Sequence, residues 1–151
     1  MTQPRIRVAA YVIRDAAGPE LLVFDHLGMP EAGTQIPAGG VKAGEDHHTA
    51  VLRETFEETG LSTALVVGAV AEEDKPHPET GQPRRTTFFH LQVGPSTLDS
   101  WVHRVRGGGE DDGMAFACRF VPLPLEHALA DEQDTWLSHI EPAWTTGTSR
   151  A

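Results

Sequence analysis

Three carboxylates within five residues, Glu54, Glu57 and Glu58, constrain this chain more than any other feature. They lie in the run His47–Thr59, which contains no Gly or Pro. Asp46 before it is suited to cap a helix N-terminus, and Gly60 after it is suited to end one in the left-handed conformation. At spacings of i, i+3 and i+4 a helix turns all three acids onto one face, with neighbouring Cβ atoms about 5–6 Å apart. Val51, Thr55 and Thr59 then point inward. Like charges this close repel one another, and a hard divalent cation removes the repulsion. Mg²⁺ prefers carboxylate oxygens and keeps positions open for water and substrate phosphates. A fold for this sequence has to bury one side of the helix and leave the acidic side on a cleft.

The 151 residues suffice for one domain with a proper core, expected over residues 1–140 with a C-terminal tail over 141–151. A hydrophobic content of 39% and a charged content of 23% are those of an ordinary globular chain. No apolar run approaches the roughly 20 residues needed to cross a bilayer, and the start lacks the charged-then-apolar order of a signal peptide. One cysteine, Cys118, excludes an internal disulfide and a paired-cysteine zinc site, and fits a reducing cytoplasm. The net charge of −10 disfavours nucleic acid and anionic membranes as partners. It also opposes a phosphorylated substrate unless cations stand between the two.

Alternation and turn residues predict strands over residues 6–14, 21–24, 63–71, 86–93 and 115–121, with a further short strand through Trp101, His103 and Val105. Residues 26–34 read as a loop forming one wall of a cleft. Residues 35–37 read as a brief extended entry to the glycines that follow. A second helix is expected over residues 125–140, where Leu125, Leu129, Trp136 and Ile140 form an imperfect apolar stripe. Strands around one early and one late helix imply an α+β fold, a mixed sheet sandwiched between helices.

The stretch 39–61, GGVKAGEDHHTAVLRETFEETGL, resembles the signature of the Nudix hydrolases. That signature is Gly, five residues, Glu, seven residues, then Arg-Glu-aliphatic-any-Glu-Glu-any-Gly-aliphatic. It falls on Gly39, Glu45, Arg53, Glu54, Glu57, Glu58, Gly60 and Leu61, with Thr55 at a position usually aliphatic. A solvated acidic face is the commoner reason for a glutamate cluster, and the registered Gly39, Glu45, Arg53 and Gly60 decide against it here. The resemblance implies Mg²⁺ or Mn²⁺ held by Glu54, Glu57 and Glu58 with a loop carbonyl, Ala38 or Gly39, Ala38 being taken first. It implies catalysis by Glu57 and Glu54, supported by Arg53. Glu45 is expected to pair with Arg53 and, with Gly60, to serve structure. Gly39, Gly40 and Gly44 are expected to form a tight loop with unusual backbone angles, Gly39 and Gly40 close to the ligand.

A fourth carboxylate is implied from a distant loop. The acidic, glycine-flanked stretch 107–113 offers Glu110, Asp111 and Asp112, with Glu110 preferred for reach. Arg84 and Arg85 are candidates for phosphate contact because guanidinium forks suit phosphate oxygens. His47 and His48 read as a solvated helix end, Phe88, Phe89 and Trp101 as core aromatics, and Cys118 as a small core residue. The implied activity is hydrolysis of a nucleoside diphosphate linked to another group, by a monomer or homodimer. The Pro37-Ala38-Gly39 entry and Pro76 favour ADP-ribose or a nucleotide sugar. Nucleoside triphosphates and dinucleoside polyphosphates are the alternatives. An isopentenyl diphosphate isomerase needs a cysteine ahead of the signature, which is absent here. A nucleotide-sensing module of the same fold tends to lose signature glutamates, which here are all kept.

Overall fold

The computed structural model describes residues 3–105 and 113–140. Its frame is a mixed seven-stranded sheet: β1 (Arg5–Asp15), β2 (Pro19–His26), β3 (Ala38–Gly40), β4 (Leu65–Asp74), β5 (Arg84–Val93), β6 (Ser100–Arg104) and β7 (Ala115–Pro122). One α-helix, α1 (His47–Thr59), covers one face. A 3-10 segment, Ala130–His139, covers the other. This is the α+β sandwich expected from the sequence. Among the described residues no helix is long and apolar enough to cross a membrane.

The sheet runs β4-β5-β1-β2-β7-β6. Its centre, β1, carries an unbroken buried run from Val8 to Ile13, as a strand covered on both faces requires. Even residues Val8, Ala10 and Val12 pack with Ala50 and Val51 of α1. Odd residues Ala9, Tyr11 and Ile13 pack with Leu129, Leu137 and Ile140. Each such large side chain contributes about 1.5–3 kcal/mol by leaving water.

One edge of β1 is occupied along its length by parallel β5, from Arg5 opposite Arg84 to Arg14 opposite Val93. The other edge is shared. β2 pairs only with Ile13–Asp15, and β3 takes Arg7–Ala9. The sheet therefore splays at the start of β1, and the glycines of β3 fill the gap as a paired strand. Gly39 and Gly40 consequently have no left-handed backbone, contrary to the tight-loop expectation; of the three glycines only Gly44 does, at φ 76°.

The expected helix over residues 125–140 does not form. Residues 125–129 are non-helical, and the following 3-10 segment is interrupted at Asp131 and Glu132, whose φ values are 53° and 51°. Tertiary contacts override the stripe. Lys75 Nζ donates to the Asp131 carbonyl at 2.8 Å and Arg84 Nη2 to its carboxylate at 2.8 Å. Tyr11 Oη donates to the Gln133 carbonyl, and Ala130 N to that of Thr34. All but the Arg84 bond, which holds a side chain, use backbone groups of the segment.

Candidate functional site

Helix α1 is built to hold its register. Asp46 Oδ1 accepts from Thr49 N at 2.7 Å, and Gly60 closes the last turn at φ 79°. Thr55, at the unusual signature position, is fully buried, but its hydroxyl donates to the Val51 carbonyl one turn back at 2.8 Å. The buried Thr55 hydroxyl is thus not stranded, which is why threonine substitutes for an aliphatic residue. The C-terminal turn is gripped from β6: His103 Nε2 bonds the Glu57 carbonyl at 3.0 Å and Trp101 Nε1 that of Thr59 at 2.7 Å.

The acidic face of α1 lies along the outer edge of β3. Ala10 N donates to Pro37 O and Val41 N to Ile6 O, so the odd positions of this run face β1 and Ala38 and Gly40 face outward. Helix side chains supply the missing partners. Glu58 Oε1 accepts from Ala38 N at 2.8 Å, and Arg53 Nη2 donates to Gly40 O at 2.8 Å. Glu54 lies so close to Gly39 that a Cβ there would stand 2.2 Å from its carboxyl carbon. Glycine at 39 is therefore a matter of space rather than of backbone angle.

Arg53 organises the cluster. Its Nε and Nη2 take the two oxygens of Glu45 at 2.7 and 2.8 Å, forming the expected pair, while Nη1 reaches Glu54 at 2.7 Å and Glu57 at 3.3 Å. The Arg53 hydrogen bonds and the Lys42 amide lower the Glu45 pKa to about 2. Burial pushes the Glu54 pKa up and Glu57 adds to it, against the pull of Arg53.

Glu54, Glu57 and Glu58 line one cleft of about 430 Å³, together with Ala38, Gly39 and Gly40. Among the described residues no three acids or histidines close into a finished metal cage; the Arg53 guanidinium stands between Glu54 and Glu57 instead. The donor set nevertheless fits a hard cation. It consists of three carboxylates and an outward carbonyl edge, and a positive charge already relieves two of the acids.

The opposite wall brings arginines into the cleft, which Glu31, Glu79 and Asp131 also line. Arg84 lines it, bonded to Asp131 and to the carbonyls of Lys75 and Pro76, both at 3.2 Å. Arg85 does not. One residue on, it turns to the other face of β5, half-exposed, and pairs with Asp74 at 2.8 Å. Its expected place at the substrate is corrected accordingly. Sequence reasoning missed Arg5, Arg7, Asp131 and Gln133, all of which line the cleft. The i, i+2 spacing of Arg5 and Arg7 signalled a shared face, but nothing local said which. Glu110, Asp111 and Asp112 lie outside the described residues. Phe88 and Phe89 are core residues, and Cys118 is a buried one whose thiol is pushed up to about 12 by burial, with Glu58 adding to it. His47 and His48 are exposed at the helix start, His48 edge-on to Phe89.

A family model described as NUDIX domain matches residues 3–140. An RNA pyrophosphohydrolase of Rhodospirillum rubrum is 40% identical over 76 residues, 46% of this chain and 46% of that protein. The match thus spans about half of that relative's length. The MutT NUDIX hydrolase of Burkholderia pseudomallei superposes with a TM-score of 0.66 at 21% identity, covering 92% of this chain and 99% of that one. The NUDIX domain of Shewanella oneidensis NrtR, solved with ADP ribose, superposes at 0.65 with 12% identity, covering 92% and 87%. At these identities the two structures establish a shared fold.

Proposed function

The chain belongs to the Nudix hydrolase family, and we propose on that footing that it is a divalent-cation-dependent pyrophosphohydrolase acting on a nucleoside diphosphate linked to a further group. The observation that carries this reading is the signature, met at every position but Thr55, folded so that Glu54, Glu57 and Glu58 share one cleft with Arg84. The family generally employs Mg²⁺ or Mn²⁺. Glu54, Glu57, Glu58 and the Ala38 carbonyl would hold it. When bound, such a cation neutralises phosphate oxygens and lowers the pKa of water.

The chain's own residues supply the rest. Arg84 orients phosphate oxygens from the facing wall. Gly39 and Gly40, without side chains, let the phosphates approach β3. Water adds to one phosphorus, the anhydride P–O bond breaks, and the bridging oxygen leaves with its electron pair as phosphate. Glu54 and Glu57 stand nearest to accept the proton released, and Glu110 is the proposed acid from outside the described residues. Arg53 acts through others: it fixes Glu45, Gly40 and Glu54 and so sets where the carboxylates stand. The three cleft arginines give a phosphate chain local counter-charge despite a net charge of −10, and that charge still favours a small substrate over a nucleic acid. The lone buried Cys118 suits work in the cytoplasm.

Pro37-Ala38-Gly39 and Pro76 support ADP-ribose or a nucleotide sugar as substrate. A polyphosphate substrate is the second reading, favoured by Arg5 and Arg7. Turnover of ADP-ribose, nucleotide sugars, dinucleoside polyphosphates and nucleoside triphosphates with Mg²⁺ or Mn²⁺ tests the proposal. Activity on at least one is expected, falling at least a hundredfold in Glu57→Gln while the circular dichroism spectrum is retained. Binding without turnover across the panel, or near wild-type rates in Glu57→Gln, would replace the hydrolase with a sensing module or move the site.

A further inference from the structure

The cleft straddles β3, with the helix glutamates lining one side and three arginines another, and Glu31, Glu79 and Asp131 also line it. Side chains alternate between faces along a strand. Since Ala9, Tyr11 and Ile13 face the C-terminal 3-10 segment, Arg5 and Arg7 belong to that face, away from α1. The parallel register sets Arg84 directly beside Arg5. The glycine pair shows the same division. A Cβ on Gly39 would meet the Glu54 carboxyl at 2.2 Å, and one on Gly40 would meet Arg5 Nη2 at 3.1 Å. Two residues without side chains thus make a thin lip, with the Glu54 carboxylate against one and the Arg5 guanidinium against the other.

The arginines differ in how their charge is met. Arg84 is committed to Asp131 at 2.8 Å. Among the described residues, neither Arg5 nor Arg7 has a carboxylate within ion-pair distance, although both line the cleft. Burial, then the neighbouring Arg84 and Arg5, push the Arg7 pKa down, and the longer-range pull of Glu58 and Asp131 does not restore it. A shielded cation without a close partner is costly, and an arriving anion offsets that cost.

We propose that Arg5 and Arg7 form an anion subsite for a phosphate beyond the diphosphate held on the glutamate side, so that the preferred substrates carry a chain of three or more phosphates. The substrate half of this inference rests on the hydrolase reading above; the subsite itself stands without it. A neutral sugar at that end would leave both guanidiniums unmatched, so the subsite moves the polyphosphate reading ahead of the ADP-ribose reading given above.

Calorimetric titration of the full chain with inorganic tripolyphosphate in EDTA isolates the subsite, because without a cation the glutamates only repel the anion. Saturable binding is expected, weakened at least tenfold in Arg7→Gln and in Arg5→Gln, largely kept in Arg7→Lys, and unchanged in Arg85→Gln. With Mg²⁺, kcat/KM for a nucleoside triphosphate should fall at least tenfold in Arg7→Gln, while that for ADP-ribose stays within about twofold. No binding by the wild-type chain, or equal weakening by Arg85→Gln, overturns the subsite. Equal losses for the two substrates overturn the substrate assignment. Binding in EDTA by a chain that hydrolyses nothing would support the subsite and sink the hydrolase reading.

Discussion

Glu45 never reaches the cleft, yet it fixes the residue that does most to arrange the acids. Both of its oxygens are held by Arg53, and its pKa drops from an ordinary 4.5 to about 2. A carboxylate whose pKa is lower folded than unfolded adds stability that is fully present above the unfolded value. That contribution is lost as pH falls from about 4.5 toward 2. Glu45→Gln should therefore be less stable than the wild-type chain at pH 7, and the gap should close between pH 4.5 and pH 2. Urea unfolding at several pH values measures it, and a gap that stays constant would show that the pair contributes no ionic stability. The pairing was legible in the signature. The bond from Arg53 to Gly40, which ties helix to strand, was not.

At the level of elements, α1 was readable to its caps, whereas the reason for Gly60 has a part the sequence does not contain. Its φ of 79° alone favours glycine, and a Cβ there would also stand 2.9 Å from His103 Nδ1. That ring grips the Glu57 carbonyl through its other nitrogen. Gly60→Ala should cost about 1–3 kcal/mol, combining left-handed strain with displacement of the His103 bond. A double-mutant cycle with His103→Ala in denaturant unfolding should recover the displacement part; strictly additive effects would leave only backbone strain. The terminal segment shows the opposite case. Its apolar stripe suggested a helix, but Lys75 and Tyr11 take its backbone carbonyls and Arg84 holds the Asp131 carboxylate.

Across the whole molecule, Tyr11 joins the central strand to that terminal segment. It is fully buried, donates to the Gln133 carbonyl and accepts from Trp136 N at 3.2 Å. Gln133 in turn holds Ile36 N through its side chain at 2.9 Å, just ahead of β3. One phenol thus links the sheet centre, the cleft wall and the approach to the glycine lip. Tyr11→Phe should lose about 1–3 kcal/mol by stranding both partners, a melting shift of several degrees for a domain of this size. An unchanged melting temperature in scanning calorimetry would mean that these bonds have no net value.

The sequence by itself determined the elements whose cause is local. It specified helix α1 with its Asp46 and Gly60 ends, the acidic face at i, i+3 and i+4, the Glu45–Arg53 pair, and most strands. The pair was implied by the resemblance of the signature, and the rest follow from periodicity, capping and turn chemistry within a dozen or so residues. Only the tertiary structure decided that Arg5, Arg7 and Arg84 meet, that Arg85 turns away, and that Asp131 bends the chain where a helix was expected. Each of these depends on the register between β1, β3 and β5, strands distant in the chain. A shift of one residue in any of those pairings would send every side chain to the opposite face.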